Sequence, residues 1–140
     1  MTMNGVEARA QLLLDPIRAI ADPHERLMAI TTRPSTIEPL MEAHRTEAQR
    51  VPGCVSRVWL AGQVENNHLH LQVAADSVMV RGLVQLLCEI YDRLTASEIQ
   101  GTDLDFVARL GLSGQLSPTR INGLQALQKR IFQWTEDPSC

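Results

Sequence analysis

The chain has few cysteines and little net charge, and each shortage excludes something. Three cysteines, Cys54, Cys88 and Cys140, lie far apart among 140 residues. An odd number with no close pair supports no disulfide framework, so the expected setting is reducing and cytoplasmic. A formal charge of −3 gives no basic face of the kind nucleic acids require. There is no apolar run long enough to cross a bilayer, and "MTMNGVEARAQLLLD" lacks the basic region and apolar core of a secretory leader. CxxC, HExxH, GxGxxG and GxxxxGK[ST] are all absent, which leaves no recognisable zinc or nucleotide motif.

What is present is an ordinary globular balance, 44% apolar and 21% charged, in a length suited to one domain. We expect a single domain over residues 1–140, with 1–8 and 136–140 as flexible tails. "QLLLDPIRAIADPHERLMAITT" reads as broken helix, with Pro16 and Pro23 each following an Asp in the manner of a first-turn proline. A further helix is expected from Ser35 or Thr36, with Pro39 near its start. "SRVWLAGQVENNHLHLQV" then alternates as two strands around Asn66-Asn67. Val58, Leu60 and Val64 share one face of the first strand, and Leu69, Leu71 and Val73 one face of the second.

"ADSVMVRGLVQLLCEIYDRL" is the strongest helix, capped by Asp76 or Ser77 and apolar on more than one side, as a central core helix would be. "TASE" fits a capping box for a short helix ending near Gly101. Asp103 is expected to open another that ends at Gly111. Ser117 and Pro118 then start the last helix, with Leu124, Leu127 and Ile131 facing inward.

Cys54 in "VPGCVSRVWL" is the residue of greatest chemical interest. It is either a small buried hydrophobe or a thiol held out at the Pro52-Gly53 turn, with Arg50 and Arg57 near enough in sequence to favour the thiolate. Cys88 sits among apolar neighbours and reads as packed and inert; Cys140 ends a polar tail and carries no assigned role. His68 and His70 share a strand face, which reads as a solvated face before it reads as a metal site. Arg120 stands in the first turn of the last helix, where the macrodipole disfavours a cation.

Three segments together, "VPGCVSRVWL", "ADSVMVRGLVQLLCEIYDRLTASEI" and "LSPTRINGLQAL", resemble the SufE/CsdE family of sulfur acceptor proteins. Its hallmarks are a Gly-Cys-x-Ser-x-Val-Trp segment, an Asp-led helix with a basic residue and glycine, and a Leu-Ser-Pro-x-Arg-x-x-Gly-Leu helix start. They span Val51 to Leu127 here. The resemblance implies an α+β fold, a small curved antiparallel β-sheet with α-helices packed on one side, like that of iron–sulfur scaffold proteins. It implies a sulfur carrier rather than an enzyme. Cys54 would take persulfide sulfur from a pyridoxal-phosphate cysteine desulfurase of the SufS/CsdA kind, stimulate it, and pass the sulfur toward an iron–sulfur scaffold or other acceptor. No cofactor of its own is implied.

Matching positions also bring Asp76 and Arg120 to the cysteine segment, as a loop restraint or thiolate support, or simply as a pin for the final helix. Trp59, Val55 and Leu83 are candidate walls of an apolar shelter for the sulfur. Two departures stand out: Gln49 replaces a usual asparagine, and "ITTRPSTIEPL" only loosely matches the family's N-terminal segment. The alternative reading is an iron–sulfur scaffold, which needs several ligands converging on iron, normally three cysteines.

Overall fold

Asn66 and Asn67 both adopt left-handed backbone, with φ of 52° and 66°. That is what a two-residue turn matching the right-handed strand twist demands. They join β2 (Val58–Glu65) to β3 (His68–Ala75) in antiparallel register, from Glu65 opposite His68 to Val58 opposite Ala75. The computed structural model describes residues 5–51 and 56–136 of the chain. A third strand, β1 (Glu38–Pro39), runs parallel to β3 at its other edge, giving the order β1-β3-β2. The fold is α+β as expected, but the small sheet is mixed, not purely antiparallel.

The helix expected from Ser35 or Thr36 does not form. Arg33, Ser35 and Thr36 all reach the carboxylate of Glu89 instead, Arg33 through two bonds of 2.6 and 2.8 Å, Ser35 at 3.0 Å and Thr36 at 3.4 Å. Those contacts hold the chain extended, and Pro34 and Pro39 bias the residues before them the same way. The extended chain delivers Ile37 to the core and Leu40 to the far face of the sheet. Short 3-10 turns at Glu42–His44 and Glu47–Gln49 come next.

Before the sheet come α1 (Gly5–Leu13), α2 (Asp15–Arg18) and α3 (Pro23–Thr32). Asp22 caps α3 by accepting from the His24 N–H at 2.9 Å, with Pro23 in the first turn. Residues 5–8 belong to α1, where Val6 is fully buried, so the flexible tail expected over 1–8 does not extend to them. After the sheet come α4 (Val78–Tyr91), α5 (Ala96–Gln100), α6 (Phe106–Leu110) and α7 (Pro118–Glu136).

Ser77 caps α4, and Thr95 and Glu98 form the expected capping box of α5. Asp105, not Asp103, caps α6, accepting from the Ala108 N–H at 3.2 Å. That helix ends at Gly111, whose left-handed φ of 69° suits a residue without a Cβ. Ser117 caps α7 through the Arg120 N–H at 3.2 Å.

Alternation along the hairpin divides the core. Val58, Leu60, Leu69, Leu71, Val73 and Ala75 face α4 and α7 in the main cluster, while Trp59 and Ala74 join Leu40 on the other side. Val64 shares the inward face yet remains 46% exposed, because the hairpin tip extends past its helical cover. Gly82 lets α3 and α4 approach closely: a Cβ there would lie 2.9 Å from the Ile30 carbonyl oxygen. Among the described residues no helix is long and apolar enough to cross a membrane.

One ion-pair cluster ties the N-terminal helices to the rest. Arg109 holds Asp15 at 2.8 Å and Glu7 at 3.1 Å, and its guanidinium keeps both carboxyls below their ordinary range. Carboxyls so lowered contribute stability above their unfolded pKa values, about 4, and lose it as pH falls through the lower folded values. Arg109→Met is therefore expected to be less stable than the parent at pH 7, with the gap closing toward pH 3. Urea denaturation at both pH values checks this, and a pH-independent gap would contradict it.

Candidate functional site

The ends of the cysteine segment are fixed by the strand they adjoin. The Val51 N–H donates to the Val58 carbonyl at 2.9 Å, and Arg50 bridges Trp59 in antiparallel fashion. Cys54 lies in residues 52–55, outside the described residues, as does Val55. Immediately after that segment Ser56 lines a cleft of about 210 Å³. Val80, Leu83 and Val84 of α4 and Leu124 of α7 form its apolar wall; Ser117, Thr119 and Arg120 form its polar side. Leu83, one of the candidate wall residues, lines this cleft together with Ser56.

Arg120 reaches this cleft because α7 starts there, and the start is set by Ser117 and Pro118. Its guanidinium donates to the Met79 sulfur at 3.5 Å. Among the described residues, no carboxylate lies within ion-pairing distance of it. A cation with its charge uncompensated by an acid, half-buried beside an apolar wall, acts on any anion brought into the cleft more strongly than a solvated one.

Asp76 is also beside the segment, but its partner is Arg57 and not Arg120. The Arg57 N–H donates to Asp76 Oδ1 at 3.0 Å and Arg57 Nε to Oδ2 at 3.1 Å, while the Asp76 N–H donates to the Arg57 carbonyl at 3.1 Å. The guanidinium holds the Asp76 carboxyl below its usual range. The reason is register: Arg57 opposite Asp76 continues the hairpin by one step beyond Val58 opposite Ala75. That signal is present in the sequence once the turn is placed at Asn66-Asn67, and it identifies a residue that motif matching did not single out for this role.

Trp59 does not line the cleft. It faces the other side of the sheet, packed with Leu40 and Ala74, with the Arg45 and Arg57 guanidinium carbons 5.1 and 5.6 Å from its ring centroid. Strand alternation explains this, since Trp59 is one residue out of phase with Val58 and Leu60.

A family model described as "SufE: Fe-S metabolism associated domain" matches residues 11–134. The chain belongs to the SufE family. An uncharacterized SufE-like protein of Synechocystis is 34% identical over 110 residues, spanning 79% of this chain and 69% of that protein. The sulfur acceptor protein CsdE of Escherichia coli is 28% identical over 134 residues, spanning 94% of this chain and 91% of that one. The solution structure of a hypothetical protein from Thermus thermophilus shares the fold, with a TM-score of 0.74 at 18% identity over 92% of this chain and 94% of that one.

Within this SufE chain the remaining candidates separate by environment. Cys88 is wholly buried in α4, where desolvation first, then the Asp92 and Glu89 charges, push its thiol far up. It is a packing group. Cys140 lies outside the described residues. His68 Nδ1 pairs with the Asn66 carbonyl at 2.7 Å, and His70 Nε2 lies 3.7 Å from Glu65. Among the described residues no three His, Cys, Asp or Glu side chains cluster so as to hold a metal ion.

Proposed function

We propose that this SufE-family protein is a sulfur acceptor and carrier, with Cys54 as the accepting residue. The donor is the persulfide of a pyridoxal-phosphate cysteine desulfurase, and the pyridoxal phosphate belongs to that partner. The Cys54 thiolate attacks the outer sulfur of the donor persulfide. A new S–S bond forms at Cys54, the donor's S–S bond breaks, and the donor cysteine leaves as a thiolate, so the exchange involves no net oxidation. Removing that product raises desulfurase turnover, and the carried sulfur goes on to iron–sulfur cluster assembly. The proposed setting is the cytoplasm, where thiols stay reduced.

The observation that carries this reading is the cleft at Ser56. Cys54 is two residues from Ser56, so chain geometry keeps their Cα atoms within about 7 Å of each other. A persulfide needs shelter from oxidant and a cation to favour the attacking thiolate. Leu83, Val84 and Leu124 supply the first, and Arg120 the second.

Incubation with a desulfurase from the same genome and free cysteine is expected to add one sulfur atom to the Cys54 peptide by mass spectrometry. Cys54→Ser is expected to abolish both that adduct and the stimulation of turnover, with an unchanged melting temperature. Sulfur found on Cys140 instead, or full stimulation by the serine variant, would refute the assignment. A stable visible chromophore after anaerobic reconstitution with iron and sulfide would favour a scaffold.

A further inference from the structure

Among the described residues, β2 has a partner strand along one edge only. Antiparallel pairing sends both backbone groups of a residue to one side, and those of the next residue to the other. The Asp76 N–H donates to the Arg57 carbonyl, whereas the Val58 carbonyl accepts from Val51 on the opposite edge. Odd-numbered residues of β2 therefore bond to β3, and even-numbered ones point away from it. The facing strand agrees. Leu69 and Leu71, opposite Val64 and Gly62, send their N–H groups to Leu94 and Asp92, away from β2. The N–H and C=O groups of Gly62 and Val64 are thus left without a partner among the described residues.

Arg50 and Val51 occupy the start of this free edge, and the chain departs from it at the 3-10 turn Glu47–Gln49. Beyond that point a groove of about 360 Å³ runs between the edge, Gln49 and α7. Arg130, Gln133 and Trp134 line it from one face of α7, as spacings of three and four residues require. The Trp134 ring lies so close to Gly62 that a Cβ there would sit 2.8 Å from it. Arg130 donates to the Ala48 carbonyl at 3.2 Å, and among the described residues no carboxylate lies within ion-pairing distance of it. Exposed edges are commonly blunted by a lysine, a proline or a bulge. The segment "LAGQVE", residues 60–65, has none of these, and its pairing with β3 is unbroken.

From this edge we propose a second interaction site, which takes an extended segment of a partner protein by strand addition to β2. The backbone groups of Gly62 and Val64 supply the pairing, and α7 decides which side chains fit. Alternate residues of the added segment face α7. The segment therefore carries an apolar side chain for Trp134 and, two residues away, an acid for Arg130. A second copy of this chain does not meet that demand, because the α7-facing residues of its own β2 are Leu60, Gly62 and Val64, none of them acidic. The groove shares no lining residue with the cleft at Ser56, and the site does not depend on Cys54.

Amide hydrogen exchange and resonance shifts of the whole nitrogen-15-labelled protein test this. The probe is a capped peptide with the repeat Thr-Val-Thr-Glu. In the free protein the Gly62 and Val64 amides are expected to exchange at nearly unprotected rates, and those of Ala61 and Gln63 slowly. The peptide should slow Gly62 and Val64 exchange by at least about tenfold and shift their resonances. The same peptide methylated on its backbone nitrogens should do neither. Arg130→Glu should weaken the peptide by about fivefold and favour a counterpart with lysine in place of glutamate. Melting temperature checks the folding of that variant, and the methylated peptide tests the pairing without any substitution.

Equal effects of the plain and methylated peptides would overturn the proposal, since backbone pairing would not be the source of binding. So would unchanged exchange of the two amides at millimolar peptide. Protection of Gly62 and Val64 without peptide, in a protein that sediments as a dimer, would assign the edge to a second copy and overturn it as well.

Discussion

Arg33→Ala is expected to cost the protein about 3–5 kcal/mol, the penalty for leaving one partner of a buried ion pair uncompensated. The two sides of this pair are not equivalent. The Glu89 side chain is 4% exposed and that of Arg33 22%. Without Arg33, the Glu89 carboxylate keeps, among the described residues, only the Ser35 and Thr36 hydroxyls. Without Glu89, the guanidinium can turn outward to water, so Glu89→Gln is expected to cost less than Arg33→Ala. The order is the informative part, since simple loss of contact area would give no such ranking.

Urea titrations of the two variants at pH 7 measure the order. Equal destabilisation by the two substitutions would contradict the account. A loss of this size is a large share of the roughly 5–15 kcal/mol by which domains are stable. The same change would loosen residues 33–37 against α4, leaving the Ser35 and Thr36 hydroxyls to hold the segment that delivers Ile37 to the core.

Arg120→Glu is the second large effect, and it concerns chemistry. Reversing the charge at the polar side of the cleft is expected to raise the pH midpoint of Cys54 alkylation by about one to two units. The rate at pH 7 falls by less than the thiolate fraction does. A more basic thiolate is a better nucleophile, which returns nearly half of the loss on a logarithmic scale and leaves a net drop of about three- to tenfold. Arg120→Lys should keep the wild-type midpoint, and Arg120→Met should fall between. An unmoved midpoint with a lowered melting temperature would instead make Arg120 a pin for α7, acting through Met79.

Much of the fold was legible because local chemistry and tertiary packing agree. Asn66-Asn67 accepts left-handed backbone, so the turn, the hairpin and its register derive from the sequence around it. Ser77, Thr95 and Ser117 cap the helices they precede, since each hydroxyl satisfies an N–H that the helix leaves open. The apolar spacing of α4 marked the core helix and, with it, the inert burial of Cys88.

The departures from local expectation share one cause. The segment 35–40 carries helix-compatible residues, yet Glu89, more than fifty positions away, captures Arg33, Ser35 and Thr36 and sets Glu38 and Pro39 against the sheet edge. Asp103 and Asp105 are both plausible caps, and only packing selects the second. Nearness to Cys54 suggests Trp59 for the cleft, whereas the phase of the strand turns it to the opposite face.

Local sequence therefore dictated the elements, the hairpin register and the family motifs, because capping, turn geometry and apolar period are properties of adjacent residues. Tertiary packing alone left Arg120 with no acid in ion-pairing distance among the described residues, set Glu89 against Arg33, and brought Ser56, Leu83 and Leu124 to one cleft. Partners of that kind come from distant parts of the chain. Their choice depends on which groups meet when the helices close over the sheet, and no local pattern records it.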